Sequence, residues 1–145
     1  MIQRRSLLSA TALAVCSRPA FATPDSLQAA VAQFTGGAPV REGRVRLDIS
    51  PLVENGNAVP VTLAVDSPMD GTDFVRRLAL FTERNPQPEV AVFELSPLSG
   101  RAQVATRLRL ATSQTIVAMA QLGDGSYWQR RVDVVVTLAA CVEGG

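Results

Sequence analysis

Seven short strand-like segments, several of which alternate apolar and polar side chains, constrain the fold of this chain more than any other feature. In the first segment Val45, Leu47 and Ile49 alternate with charged residues. Because successive side chains of a strand point to opposite faces of a sheet, this spacing predicts half-buried strands. The seven predicted strands cover residues 45–49, 59–65, 74–81, 90–95, 102–110, 115–122 and 127–138.

Turn signals separate the predicted strands, and no helical pattern lies between them. Asn55-Gly56 and the Gly-Asp-Gly-Ser segment at 123–126 favour tight turns, and Pro51 ends the first strand. Strands that recur about every ten residues with turns between them are typical of sandwiches. The predicted fold class is therefore all-β, an immunoglobulin-like antiparallel β-sandwich of about seven strands, with a small barrel as the alternative.

A short helix is predicted ahead of the strands. Its apolar residues have helical spacing and are Leu27, Ala30, Val31 and Phe34. Thr23 suits the N-cap, Pro24 suits the first helical position, and Gly36-Gly37 provides a stop. We expect the apolar face of this helix to pack on the sandwich.

The first 22 residues have the features of an export signal. Arg4-Arg5 precedes an apolar run at residues 7–15, and Ala20-Phe21-Ala22 has the small-x-small form of a cleavage site. The arginine pair predicts export to the periplasm by the twin-arginine route, with an ordinary secretory signal as the alternative. The apolar run is too short to cross a bilayer, so no membrane span is predicted, and Val15 disfavours a lipid anchor on Cys16.

Four parts of the chain are expected from these patterns. They are a twin-arginine signal peptide (1–22), an N-terminal helix and linker (23–40), the sandwich (41–138) and a C-terminal cysteine arm (139–145). Removal of the signal would leave eleven arginines and thirteen acidic residues, a formal charge of −2. That balance, without a basic patch, argues against a nucleic-acid partner.

Histidine is absent from the sequence, which removes the Ser-His-Asp and Cys-His forms of catalysis and the commonest metal ligand. The acidic segments at 70–73 and 124–125 are interpreted as turns and not as calcium loops. Arginines at 76–77, at 107 and 109 and at 130–131 are interpreted as solvated strand faces, with oxyanion binding as the alternative. We therefore expect no catalytic residue, no cofactor, no metal and no enzymatic turnover.

Cys141 is the candidate functional residue, because signal removal would leave it as the single cysteine. A thiol is nucleophilic near neutral pH, and its sulfur forms bonds that a second thiol or an oxidant can break. An extended chain from Thr137 carries this thiol up to about 14 Å. On the residues alone, a covalent carrier, an intermolecular disulfide and a terminal residue without a role all stay open. The predicted flexible arm around the thiol consists of Ala139, Ala140, Val142, Glu143, Gly144 and Gly145.

Six blocks of sequence carry a resemblance to a known family. They are VENGNAVPV (53–61), DSPM (66–69), RNPQPEVA (84–91), SGRA (99–102), TRLRLA (106–111) and DGSYW (124–128). In this order, and with a twin-arginine signal, they resemble the SoxY family of sulfur carriers in the periplasmic thiosulfate-oxidising (Sox) system. The resemblance implies an immunoglobulin-like sandwich that holds thiosulfate-derived intermediates covalently on Cys141.

The resemblance also implies protein partners. Members of the family form a heterodimer with a second sandwich subunit of the SoxZ type. A SoxAX-type cytochrome complex joins thiosulfate to the cysteine, and a SoxB-type hydrolase then releases sulfate. In some organisms a SoxCD-type dehydrogenase oxidises the sulfur that remains.

The arm departs from the family pattern Gly-Gly-Cys-Gly-Gly. Ala139-Ala140 precedes the cysteine, and Val142-Glu143 lies between it and the final glycines. Alanine restricts the backbone relative to glycine, and the Glu143 charge is expected to raise the pKa of the neighbouring thiol. The carried sulfur species, and the choice between a main carrier and a diverged paralogue, stay open.

Two other functions compete with the carrier. The first is a structural or interaction module that dimerises through a Cys141 disulfide. The second is a carrier of the ubiquitin-like kind activated at Gly144-Gly145, which the strand pattern and the export signal disfavour.

Overall fold

The structure, a computed structural model, describes residues 24–139. These residues form one helix, α1 (Pro24–Thr35), nine strands and a single turn of 3₁₀ helix (Pro97–Ser99). The predicted export signal (1–22) and Thr23, the predicted N-cap, lie outside the described residues. The strands are β1 (Val40–Glu42), β2 (Val45–Asp48), β3 (Leu52–Val53), β4 (Val59–Val65), β5 (Val75–Thr82), β6 (Glu89–Glu94), β7 (Gln103–Leu108), β8 (Gln114–Leu122) and β9 (Tyr127–Val136).

The seven strands predicted from periodicity are present as β2 and β4 to β9, with ends shifted by no more than two residues. β9 ends at Val136, two residues earlier than predicted, because the chain bends at Thr137 and Leu138. The two strands that were not predicted, β1 and β3, are three and two residues long. Segments this short have no measurable alternation, so only their pairing partner reveals them.

Two sheets face each other, which confirms the predicted sandwich. The larger sheet has the order β1-β9-β8-β5-β6, with β3 also paired to β9, and the smaller sheet has the order β2-β4-β7. The seven predicted strands pair with one another in antiparallel fashion. The short strands β1 and β3 are the difference, because both pair with β9 in parallel.

The main core lies between the sheets and includes Leu63 of β4, Leu78 of β5 and Ile116 of β8, all three fully buried. The alternate residues of β5 and β8, such as Phe81 and Met119, are equally buried on the other face of the larger sheet. A strand buried on both faces does not need polar residues at alternate positions. This explains the continuous apolar runs in these two strands.

Helix α1 covers the outer face of the larger sheet, as predicted. Leu27 and Phe34 on its apolar side are buried. Phe34 packs edge-on against Phe81 and Tyr127, with both pairs of ring centroids 5.7 Å apart. Aromatic pairs in this geometry add to the stability that apolar burial provides.

One of the arginines expected on solvated faces has a structural role. Arg77 is half-buried, lies 4.2 Å from the centroid of the Phe34 ring and donates to the Phe34 carbonyl oxygen at 3.0 Å. Its guanidinium also donates to Gln121 Oε1 at 2.7 Å. Arg77 therefore ties the end of α1 to the sheet. The other arginines of these groups are exposed as predicted, namely Arg76, Arg107, Arg109, Arg130 and Arg131.

Truncation of Phe34 tests the packing of α1. We expect Phe34→Ala to lower the free energy of unfolding by about 3 kcal/mol, because it removes a buried ring from two aromatic contacts. Chemical denaturation measures the change. Gln33→Ala, at an exposed position of the same helix, is the control, and a Phe34→Ala effect no larger than the control would contradict the packing.

Candidate functional site

Cys141 lies outside the described residues, together with Ala140, Val142, Glu143, Gly144 and Gly145. Ala139 is the last residue described, and it is exposed. The predicted assignment of these residues to a sulfur-carrying arm therefore stays a prediction. The structure defines the place where the chain leaves the sandwich on its way to Cys141.

The C-terminal end of β9 is held on both of its edges. On one edge β8 pairs with it up to Gln114 opposite Val134, and beyond that point Val136 N–H donates to Ser113 Oγ at 2.8 Å. On the other edge β3 pairs with it in parallel, with Leu52 opposite Val135. The strand that leads to the arm is therefore part of the rigid body of the sheet.

The backbone bonds beside β3 continue past the end of β9. Val135 N–H donates to the Pro51 carbonyl oxygen at 2.8 Å, and Thr137 N–H donates to that of Val53 at 3.0 Å. The backbone N–H and carbonyl oxygen of Leu138 also form hydrogen bonds, with the turn that follows β3. Measured from Leu138, an extended chain brings the Cys141 Cα up to about 10 Å away, which is shorter than the reach expected from Thr137.

Three exposed apolar side chains lie near the place where the chain leaves the sandwich after β9, which we call the exit. Leu52, Val135 and Leu138 are 58%, 53% and 60% exposed. Leu52 and Val135 are register partners and therefore project from the same face of the sheet. A protein that received the predicted arm would have to approach this apolar border, since only a short length of chain separates the border from the thiol.

A groove with a volume of about 480 Å³ opens beside the exit, between residues 48–55 and 58–62. Its walls contain apolar side chains such as Val59 and Val61, two carboxylates, Asp48 and Glu54, and no arginine. Carboxylates repel anions, and nothing in the walls offsets their charge. The groove therefore does not suit a free anion such as thiosulfate or sulfate.

The acidic segments are turns, as predicted. Asp70 and Asp73 exchange two backbone hydrogen bonds, at 3.2 and 3.0 Å. Asp124 accepts from Ser126 Oγ at 2.6 Å and from Ser126 N–H at 2.9 Å, and these bonds hold the pKa of Asp124 below its ordinary value. Among residues 24–139 no group of three or more acidic, cysteine or histidine residues is arranged to hold a metal ion.

Sequence reasoning predicted Cys141 as the functional residue but did not identify the residues that hold the chain ahead of it. Ser113, Val53, Glu54 and Gly56 contact the C-terminal segment across 23 or more positions of sequence. The only signal was indirect, since 53–61 is one of the blocks that resemble the SoxY family. Periodicity cannot place a two-residue strand beside a partner so distant in sequence.

A family model described as sulfur oxidation protein SoxY matches residues 31–141, a range that ends at Cys141. The solved structure of the sulfur carrier protein SoxY from Chlorobium limicola f thiosulfatophilum is similar, with 30% identity and a TM-score of 0.67. That match covers 79% of this chain and 98% of the other. The comparison with curated proteins finds no significant match.

Two superoxide reductases have a similar fold. The enzyme from Ignicoccus hospitalis (neelaredoxin) is 16% identical, with a TM-score of 0.58 and coverage of 79% of this chain and 94% of the other. A putative superoxide reductase from Thermotoga maritima is 19% identical, with a TM-score of 0.54 and coverage of 71% and 89%. At such identities the likeness concerns the fold alone. No helix within residues 24–139 has both the length and the apolar character that a membrane crossing requires.

Removal of the Ser113 hydroxyl tests the fixed end of β9. We expect Ser113→Ala to lower the free energy of unfolding by about 1 kcal/mol and to speed hydrogen exchange at the Val136 amide, which loses its acceptor. Amide exchange followed by NMR measures the effect. Thr112→Ala, at the exposed neighbouring position, is the control, and equal exchange at Val136 in the two variants would contradict this account.

Proposed function

The chain belongs to the SoxY family of sulfur oxidation proteins, and from this we propose that it carries thiosulfate-derived sulfur covalently on Cys141. The observation that carries the proposal is the position of the single cysteine that follows the predicted signal. Cys141 comes five residues after Val136, where β9 ends in a fully paired part of the sheet. A thiol placed there can leave the body of the protein while the body stays folded.

Attachment of thiosulfate to the thiol is an oxidation. The Cys141 sulfur forms a bond to the terminal sulfur of thiosulfate, the thiol proton is released, and two electrons leave. We assign the two electrons to a c-type cytochrome partner of the SoxAX type, which is the partner that membership of the SoxY family implies. The product is a cysteine S-thiosulfonate with a negative charge at its outer end.

Release of sulfate is a hydrolysis and involves no further electrons. Water attacks the outer sulfur of the adduct, the bond between the two thiosulfate sulfurs breaks, and sulfate leaves with its oxygen taken from water. A persulfide stays on Cys141. We assign this step to a SoxB-type hydrolase, and oxidation of the persulfide sulfur to a SoxCD-type dehydrogenase where one is present.

The body of the protein acts as a holder in this proposal and does not catalyse the reactions. Histidine, the usual acid–base group at neutral pH, is absent from the sequence. The groove next to the exit carries two carboxylates and does not suit the anionic adduct. The reactions on the adduct are therefore assigned to the partners, in the periplasm, with a SoxZ-type subunit as the second half of a heterodimer.

Intact-mass spectrometry tests the proposal. Incubation with thiosulfate and the oxidising cytochrome complex is expected to add the mass of one thiosulfate group, because one thiol reacts once. Reduction with a small thiol is expected to remove that mass. Cys141→Ser is the control and should gain nothing. The proposal is wrong if wild type stays unmodified or if both proteins gain the same mass, whereas a mass of two chains would favour the disulfide dimer.

Replacement of the two alanines before the thiol tests the effect of the altered arm. We expect the double variant Ala139→Gly, Ala140→Gly to load thiosulfate several-fold faster, because glycine has more backbone conformations and lets the thiol adopt the attacking geometry more often. The initial rate of adduct formation measures it. The matched control is Ala29→Gly, at an exposed position of helix α1. Equal rates in wild type and the double variant would contradict the expectation.

A further inference from the structure

The turn between β3 and β4 is bonded to the last part of the C-terminal segment that the structure describes. We call residues 54–57 the anchor loop. Leu138 N–H donates to the Glu54 carbonyl oxygen at 3.1 Å, and Gly56 N–H donates to the Leu138 carbonyl oxygen at 2.8 Å. Both polar groups of the Leu138 backbone are therefore occupied by the anchor loop.

The backbone pairing becomes irregular where it meets the anchor loop. Thr137 N–H donates to the Val53 carbonyl oxygen, and the next amide along, that of Leu138, donates to the next carbonyl, that of Glu54. In a regular ladder only every second residue of a strand faces a given neighbour. The pairing of β3 with β9 therefore shifts by one residue here, and the Thr137 hydroxyl adds a bond to the Glu54 carbonyl oxygen at 3.2 Å.

The anchor loop is itself fixed to the sandwich. The Gly56 carbonyl oxygen accepts from Leu110 N–H at 2.8 Å, and Gly56 is buried. Within the loop, Asn55 Oδ1 accepts from the backbone N–H and from the side-chain amide of Asn57, both at 3.0 Å. A loop held in this way can fix the position of a segment that binds to it.

We propose that the anchor loop fixes the pivot of the arm at Leu138, with Asn55 and Gly56 as positioning residues for the thiol of Cys141. The purpose of this positioning rests on the proposed carrier function. The experiment that tests the positioning does not depend on that function. With the anchor in place, an extended chain from Leu138 spans about 10 Å to Cys141. Without it, the bond from Thr137 N–H to the Val53 carbonyl oxygen of β3 holds the chain only as far as Thr137, and the span becomes about 14 Å.

The shorter tether confines the thiol to a smaller volume beside the exit. Effective concentration falls roughly as the inverse 3/2 power of tether length, so release of the anchor is expected to lower it by roughly a factor of 1.6. The shift in pairing also sets the direction in which the chain leaves the sheet. Position and direction together favour entry of the thiol into a partner site that faces the exit.

Loss of the Asn55 side chain is the direct test, because it removes two bonds within the loop and leaves both backbone bonds to Leu138 in place. The full chain carries Cys16→Ala, so that a nitroxide reagent reacts at Cys141 alone. In Asn55→Ala we expect hydrogen exchange at the Gly56 and Leu138 amides to become about fivefold faster, the effect of one net hydrogen bond. The nitroxide at Cys141 is expected to show a shorter rotational correlation time.

Two control variants separate positioning from general loosening. Asn55→Asp keeps the oxygen that accepts both bonds and is expected to restore slow exchange and the wild-type nitroxide spectrum. Ser96→Ala removes a comparable bond in an exposed turn, where Ser96 Oγ accepts from Leu98 N–H at 3.2 Å. It is expected to leave the Leu138 amide and the nitroxide unchanged.

The proposal is overturned if Asn55→Ala speeds exchange at Gly56 while the Leu138 amide and the nitroxide stay as in wild type. If Asn55→Ala does not fold, Thr137→Val takes its place, since it removes the hydroxyl that bonds to Glu54 at nearly constant shape. Unchanged nitroxide motion in that variant likewise overturns it. Failure of the carrier function would appear separately, as absence of a thiosulfate adduct on a chain whose exchange and nitroxide results are as predicted.

Discussion

Pairing along the outer edge of β9 is the constraint on which the rest of the structure depends. β9 is ten residues long, and an open edge of this length invites pairing with other chains. β1 covers the start of that edge and β3 covers its end, both in parallel. Exposed Arg130 and Arg131 lie on the stretch between them, where charge discourages further pairing. The chain crosses from β2 in the small sheet to β3, which pairs with β9. The anchor loop that follows β3 therefore lies beside Leu138.

The fold itself does not specify the function, as the likeness to superoxide reductases under 20% identical illustrates. The features used by the proposed function lie at one end of β9. There the sheet is closed on both edges, an apolar border surrounds the exit of the chain, and the sequence continues to a thiol three residues after Leu138. At the other end, Asp124 and Ser126 form an ordinary turn. In the proposed function the body therefore has a holding role, and the C-terminal end of β9 is its functional end.

Most of the fold could be predicted from the sequence, because alternation and turn residues act locally. The apolar spacing of α1 and the alternation around Val45 report directly on which side chains are buried. The short strands β1 and β3 could not be predicted, since they exist only through pairing with a strand far away in sequence. The prediction that Arg77 lies on a solvated strand face was wrong for a related reason. The burial of this arginine depends on Phe34, 43 positions earlier. The functional role of the Cys141 thiol was predicted by elimination, whereas the anchor loop could be recognised only in the three-dimensional structure.

Transfer of labelled sulfur tests the central claim most directly. Thiosulfate labelled in its oxygen-bearing sulfur, the atom that hydrolysis releases as sulfate, is supplied to the complete enzyme system. The label on the carrier and in sulfate is followed through the first turnover. If Cys141 carries the sulfur, label appears on the carrier first and leaves it at the rate at which labelled sulfate forms. The Cys141→Ser variant then forms no labelled sulfate. Labelled sulfate formed at the wild-type rate with that variant would contradict the account.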